Sequence, residues 1–109
     1  MTDAAIPTVA LGDIPAGAVL LDVREDPEWV AGNAPDAVHV PMSQLTGRLA
    51  EVPGGPLAVV CKVGGRSAQV TAYLRQHGYD AVNVGGGMLA WEAEGRPMVA
   101  ETAGSPRVV

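Results

Sequence analysis

The chain has 109 residues, a length that suits one domain able to bury a single core without staples. Its formal net charge of −5 argues against a general affinity for nucleic acid or an anionic membrane, because phosphate neutralisation needs clustered Lys and Arg. A single cysteine excludes an internal disulfide and a multi-cysteine zinc site, and no apolar stretch approaches transmembrane length.

Residues 1–5 are expected as a lead-in without a basic n-region, and Asp3, Pro7, Asp13 and Pro15 interrupt any apolar h-region, which leaves a cytoplasmic protein as the expectation. Ile6 to Leu11 reads as a short edge strand or a lead-in, since Pro7 cannot donate to a ladder and is tolerated only at an edge or strand start. Ala18 to Val23 is a nearly continuous apolar run, the pattern of a parallel strand covered on both faces, and it ends at Asp22 and Arg24. Asp26-Pro27-Glu28 then gives a helix start with Asp26 as the cap and Glu28 in the first turn, and Gly32 to Pro35 ends that helix. Val38 to Val40 is a brief strand in which His39 is expected to face outward or find a partner.

Ser43 to Leu49 predicts a helix capped by Ser43, with Leu45 and Leu49 on one face and Gly47 as its weak point. After the Pro53 to Pro56 turn, Leu57 to Val60 is an apolar strand running into Cys61. A basic, glycine-rich loop follows, and then from Ala68 a helix on which Val70, Leu74 and His77 fall at i, i+4 and i+7, stopped by Gly78, with His77 complementing its C-terminus. Ala81 to Val84 is a last strand, Gly85 to Gly87 a turn, and Met88 to Glu94 a final helix. Residues 100–109 turn small and polar and are expected as a flexible tail. Strands alternating with helices predict an α/β domain with a mainly parallel sheet, whose sites form beyond the carboxyl ends of strands. Cys61, Asp22 and Arg24 all sit at such ends.

The loop after Cys61 carries the chemistry. A thiolate is the reactive form of cysteine, and a helix N-terminus and nearby positive charge both lower the thiol pKa. Lys62 and Arg66 supply charge, while Gly64 and Gly65 permit positive φ, so that successive N–H groups can converge on the sulfur. Arg66 in a first helical turn opposes the macrodipole by ~0.3–1 kcal/mol, a local cost that an anionic ligand would reverse and that solvent exposure would reduce. A lone cysteine at a strand end is by itself more often plain core, but plain core needs no amide-lined basic loop beside it.

On these residues the chain resembles the single-domain rhodanese family over roughly residues 6–99. Cys61-Lys62-Val63-Gly64-Gly65-Arg66-Ser67 is similar to that family's C-x-x-G-x-R-[ST] loop, and Asp22-Val23-Arg24-Glu25 to its D-x-R-E segment. Glu28-Trp29 with Gly32 resembles E-[FWY]-x-x-G; Pro35, Ala37, Val40 and Pro41 fit I-P-G-A-x-N-[IV]-P; Gly86-Gly87, Ala90-Trp91, Gly95 and Pro97 fit the closing G-G-x-x-A-W-x-x-x-G-x-P. Each segment is weakly specific, whereas their order and spacing together are specific. Asn33, Ala34, Asp36 and His39 depart from the pattern, and they bear on the geometry of the Gly32 to Pro41 connection and on any partner read by it.

The resemblance implies a three-layer α/β/α domain with a central, mainly parallel five-stranded sheet. It further implies a sulfurtransferase in which Cys61 attacks the outer sulfur of a small anionic donor such as thiosulfate, becomes a persulfide, and passes that sulfur to cyanide or a thiol. Lys62 and Arg66 would attract the donor, the loop amides from Lys62 through Val63, Gly64, Gly65 and Arg66 to Ser67 would hold the persulfide, and Asp22 and Arg24 would brace the loop. No metal and no organic cofactor is implied, and neither a nucleic acid nor a membrane is an expected partner; a sulfur-accepting protein is the alternative to turnover of small acceptors.

Two other readings are weaker. A cysteine phosphatase loop places five residues between Cys and Arg, and here only four intervene between Cys61 and Arg66. The run Gly85 to Ala90 formally fits a dinucleotide G-x-G-x-x-A, yet it follows the last strand, so no further strand completes a βαβ unit. A turn that docks Trp91 on the core is the better account, and Trp29 is likewise expected as a core anchor.

Overall fold

The computed structural model describes residues 6–109, so the expected lead-in at residues 1–5 lies outside the described residues. The apolar runs form a five-stranded sheet of β1 (Thr8–Val9), β2 (Val19–Asp22), β3 (Val38–His39), β4 (Leu57–Val60) and β5 (Ala81–Val84). Their order is β1-β5-β4-β2-β3, and every pairing is parallel. The apolar character of β4 follows from its place, since all four of its residues are buried at the centre of the sheet. The edges are blunt. Each edge strand is two residues long, and the carbonyl of Pro7 accepts from the Asn83 amide while its ring donates nothing.

Alternation along the strands splits the core between the two faces of the sheet. Leu21, Leu57, Val59 and Cys61 pack with Val70 and Leu74 of α2 (Gly65–Gln76) and with Leu45 and Val52. Ala58, Val60 and Val84 pack with Leu11, Ala34 and Met88, the last from α3 (Gly87–Ala93), with Trp91 and Val108 against them. Helices therefore cover both faces, which gives three layers. The absence of Phe is met by small aliphatic side chains at close spacing, each full burial contributing about 1.5–3 kcal/mol for a Val or Leu.

Two local expectations are corrected. Helix α1 (Asp26–Ala31) is capped by Glu25 and not by Asp26: the Glu25 side chain accepts from the Glu28 amide while Glu28 Oε1 accepts from the Glu25 amide at 3.1 Å. This reciprocal box places Asp26 and Pro27 inside the first turn. The helix expected from Ser43 is instead a pair of 3-10 turns, Met42–Gln44 and Thr46–Glu51, the second broken at Arg48 (φ −120°, ψ 20°). Ser43 cannot cap there, because its hydroxyl donates to Glu25 at 2.6 Å. Leu45 is nevertheless buried, and Leu49 packs at the edge of the same cluster.

The C-terminal residues run back along α1. Asn33 and Val99 form an antiparallel bridge, the amides of Glu101 and Arg107 donate to the carbonyls of Val30 and Ala31, and Glu101 Oε2 accepts from the Trp29 indole at 2.9 Å. Trp29 also stacks on His39, with ring centroids 4.5 Å apart, and His39 Nε2 lies 2.7 Å from the Arg24 carbonyl. His77 Nδ1 meets the Tyr73 carbonyl at 2.8 Å at the end of α2. Among the described residues, no helix is long and apolar enough to cross a membrane.

Candidate active site

Cys61 follows the last residue of β4, and the alternation that sends Leu57 and Val59 toward α2 sends its side chain there too. The chain then turns at Gly64, whose φ of +115° starts α2 at Gly65 and needs a residue without Cβ. Of the two glycines expected to supply positive φ, only Gly64 does so. The turn aims the Gly64 N–H at the sulfur at 3.1 Å, and the Ser67 hydroxyl lies 3.2 Å from it on the first turn of α2.

Cys61 is 1% exposed. Burial pushes its thiol up and is the largest single effect. The Ser67 hydroxyl, joined by the N–H groups of Ser67, Gly64 and Val63, together outweighs it and holds the thiol below its ordinary value. The arrangement can hold a negative sulfur and can orient a second atom bonded to it.

The loop is held from the opposite face as well. The amides of Met88 and Leu89, in the first turn of α3, donate to the carbonyls of Cys61 (2.9 Å) and Lys62 (3.1 Å). Because a trans peptide sets C=O and N–H on opposite sides, the Lys62 and Val63 amides are turned away from α3 and toward the α2 side. Gly87 makes the approach possible, since a Cβ on it would stand 2.5 Å from both of those carbonyl oxygens. The turn expected to dock Trp91 therefore also clamps the loop; Trp91 itself donates to the Pro97 carbonyl at 2.8 Å.

Arg66 does not point freely to solvent. Its guanidinium grips Glu28 of α1 with NH1–Oε1 at 2.8 Å and NH2–Oε2 at 2.9 Å. The hydrogen bonds from Arg66 hold the Glu28 carboxyl below its ordinary range against the effect of burial, and Glu28 in turn raises Arg66. Lys62, by contrast, enters none of the ion pairs among the described residues.

Asp22 and Arg24 are wholly buried and bonded to each other, with Arg24 NH2 2.7 Å from Asp22 Oδ2 and 2.8 Å from the Gly32 carbonyl. Arg24 NH1 reaches the Glu28 carbonyl at 3.4 Å. Among the described residues their side-chain hydrogen bonds go to one another and to the backbone of α1 and its end, and Glu28, whose carbonyl Arg24 reaches, links them to Arg66 of the loop. Two contributors were not singled out from sequence for this site. Asn83, 5% exposed on β5, accepts from Ser67 at 2.6 Å; its signal is one polar residue in an apolar strand. Glu28 was assigned to the helix start, and nothing local pairs it with a residue 38 positions away.

No cluster of three or more His, Cys, Asp or Glu suited to a metal occurs among the described residues. The family model described as a rhodanese-like domain matches residues 9–94. The chain is 40% identical over 84 residues to a sulfurtransferase of Allochromatium vinosum, covering 75% of this chain and 78% of that protein. It is 42% identical over 79 residues to a putative sulfurtransferase of Bacillus subtilis, covering 72% and 77% respectively. A crystal structure of a rhodanese-related protein from Thermoplasma volcanium superposes with a TM-score of 0.80 at 31% identity, covering 85% of this chain and 97% of that one. With the family model spanning the sheet, the cysteine loop and the α3 clamp together, this chain belongs to the rhodanese-like domain family.

Proposed function

We propose that this protein moves sulfane sulfur from a small anionic donor of the thiosulfate kind to cyanide or a thiol, through a persulfide on Cys61. Sulfur-transfer chemistry at a cysteine is supported at family level by the relatives named sulfurtransferases. The observation that carries the reading is the Cys61 sulfur at a strand end with the Gly64 N–H and the Ser67 hydroxyl directed at it.

In the first step the thiolate attacks the outer sulfur of thiosulfate. A new S–S bond forms, the old one breaks with its electron pair on sulfite, and the persulfide carries the remaining negative charge. The amides of Val63, Gly64 and Ser67 stabilise that charge. In the second step cyanide or a thiolate attacks the outer sulfur of the persulfide and the Cys61 thiolate departs. Lys62 draws the anionic donor in, while Arg66, its charge shared with Glu28, contributes more to loop shape. Asp22 and Arg24 support the site through α1. No metal or organic cofactor takes part.

A relay to another protein's thiol is the second reading, and it is favoured by Val63, an apolar side chain 59% exposed two residues from Cys61. Incubation with thiosulfate, followed by intact mass spectrometry, is expected to show one added sulfur that cyanide removes as thiocyanate. Failure to gain sulfur, or full turnover by Cys61→Ser, overturns the proposal. A persulfide that resists cyanide yet discharges to a protein thiol selects the relay, and Cys61-dependent hydrolysis of an aryl phosphate would select a phosphatase.

A further inference from the structure

We propose that Asn83 is a positioning residue of the Cys61 site, its side-chain oxygen competing with the Cys61 sulfur for the one hydroxyl proton of Ser67. The hydroxyl oxygen is fully buried and stands 2.6 Å from Asn83 Oδ1 and 3.2 Å from Cys61 Sγ. A serine hydroxyl has a single hydrogen, so it can serve one of these acceptors at a time.

The orientation of the Asn83 amide follows from its other neighbours. Nδ2 lies 3.4 Å from both the Gly64 carbonyl and Thr8 Oγ1, and the Thr8 hydroxyl already donates to the Ile6 carbonyl at 3.0 Å. Turning the amide over would set Oδ1 against the Gly64 carbonyl and against a hydroxyl whose proton is committed. Oδ1 is therefore the end that faces Ser67.

Two states result. With Cys61 protonated, Ser67 donates to Asn83, and the S–H can donate to the free side of the Ser67 oxygen. With Cys61 ionised, its proton having passed to solvent, the Ser67 hydroxyl rotates to the sulfur and leaves Oδ1 without that donor. Asn83 thus sets a cost on thiolate formation that the backbone amides do not carry. The benefit is chemical, because a thiolate stabilised too far loses nucleophilicity along with basicity.

Charged groups around the sulfur are few. Arg66 of α2 acts on it through space while held by Glu28 of α1, Lys62 is its chain neighbour, and Asp22 of β2 is bound to Arg24. Neither β5 nor the first turn of α3 brings a titratable side chain.

The inference concerns the proton on Cys61, and only its consequence for turnover rests on the proposed sulfur transfer. It is tested by titrating the ultraviolet absorbance of the single thiolate, with no sulfur donor present, in wild type, Asn83→Leu, Ser67→Ala and the double variant. Asn83→Leu is expected to raise the thiolate fraction below the midpoint by about three- to tenfold, the range of one neutral hydrogen bond, and Ser67→Ala to lower it. In the Ser67→Ala background Asn83→Leu is expected to change nothing, and this comparison also cancels the lost contact with Gly64. If Asn83→Leu lowers the thiolate fraction, or shifts it equally in both backgrounds, the competition does not exist. Should Asn83→Leu fail to fold by circular dichroism, Asn83→Ser, too short to reach Ser67, carries the same expected direction and the same overturning result. A protein that never accepts sulfur from thiosulfate would still give these titrations, so the two proposals fail separately.

Discussion

Glu28 and Arg66 meet in a two-pronged ion pair, and the Glu28 oxygen that takes Arg66 NH1 at 2.8 Å also accepts the Glu25 amide at 3.1 Å. One carboxylate thus caps α1 and offsets a cation in the first turn of α2, where the helix dipole alone would disfavour it.

The acid limit of stability should carry the mark of this pair. Its carboxyl is depressed in the folded state, so the contribution is complete above the ordinary Glu pKa of ~4.3 and is lost as pH falls through the lower folded value. Glu28→Gln is expected to cost about 0.5–1 kcal/mol at neutral pH, the range for a partly exposed pair. Urea midpoints of the two proteins should converge on acidification, and a gap that stays constant with pH would show the charge to be irrelevant.

Removing one partner of Asp22 and Arg24 leaves a buried charge uncompensated. Asp22→Asn is therefore expected to destabilise by about 3–5 kcal/mol, whereas the double replacement Asp22→Leu with Arg24→Met is expected to lose less than the two single changes summed. Denaturant midpoints decide it: strict additivity would mean that the pair is not coupled.

Gly87→Ala drives a methyl group into the carbonyls of Cys61 and Lys62, and the loop must shift to admit it. A loss of about 1–3 kcal/mol is expected. The Met88 and Leu89 amides should exchange hydrogen faster, and sulfur loading should slow. Unchanged protection at those two amides would contradict the clamp.

Lys62→Gln is expected to weaken capture of an anionic donor several-fold, seen as a higher KM with kcat retained, and the difference should fade as salt screens the charge. Discharge of the loaded enzyme by a neutral thiol serves as the control and should be unaffected.

The folded thiol should react at lower pH than a free one. The midpoint of Cys61 alkylation is expected below the ordinary ~8.5 in the native protein and to return to it in concentrated urea, with equal midpoints arguing against any contribution of the loop.

β4, the Cys61 loop and β5 are legible in the sequence because their signals are local: an apolar run fully buried at the sheet centre, and a glycine where the chain must take positive φ. Ser43 to Leu49 is not, because Leu45 is buried as expected but the Glu25 side chain claims Ser43 and the chain kinks at Arg48. The partner of Arg66 and the place of Asn83 are hidden from sequence for the same reason. Glu28 and Arg66 are 38 residues apart and Ser67 and Asn83 16, and both separations exceed the length of any single helix or strand here. The return of Arg107 to the Ala31 carbonyl is of that kind too, a contact no local pattern encodes.

The carbonyls of Cys61 and Lys62 belong to α3 while the sulfur belongs to α2, so the site is stitched to both outer layers at once. Neither helix can open alone without undoing the cradle. Opening of either layer should therefore already release the depressed thiol, at or before global unfolding, which makes the reactivity of this one sulfur an internal gauge of whether both layers are in place.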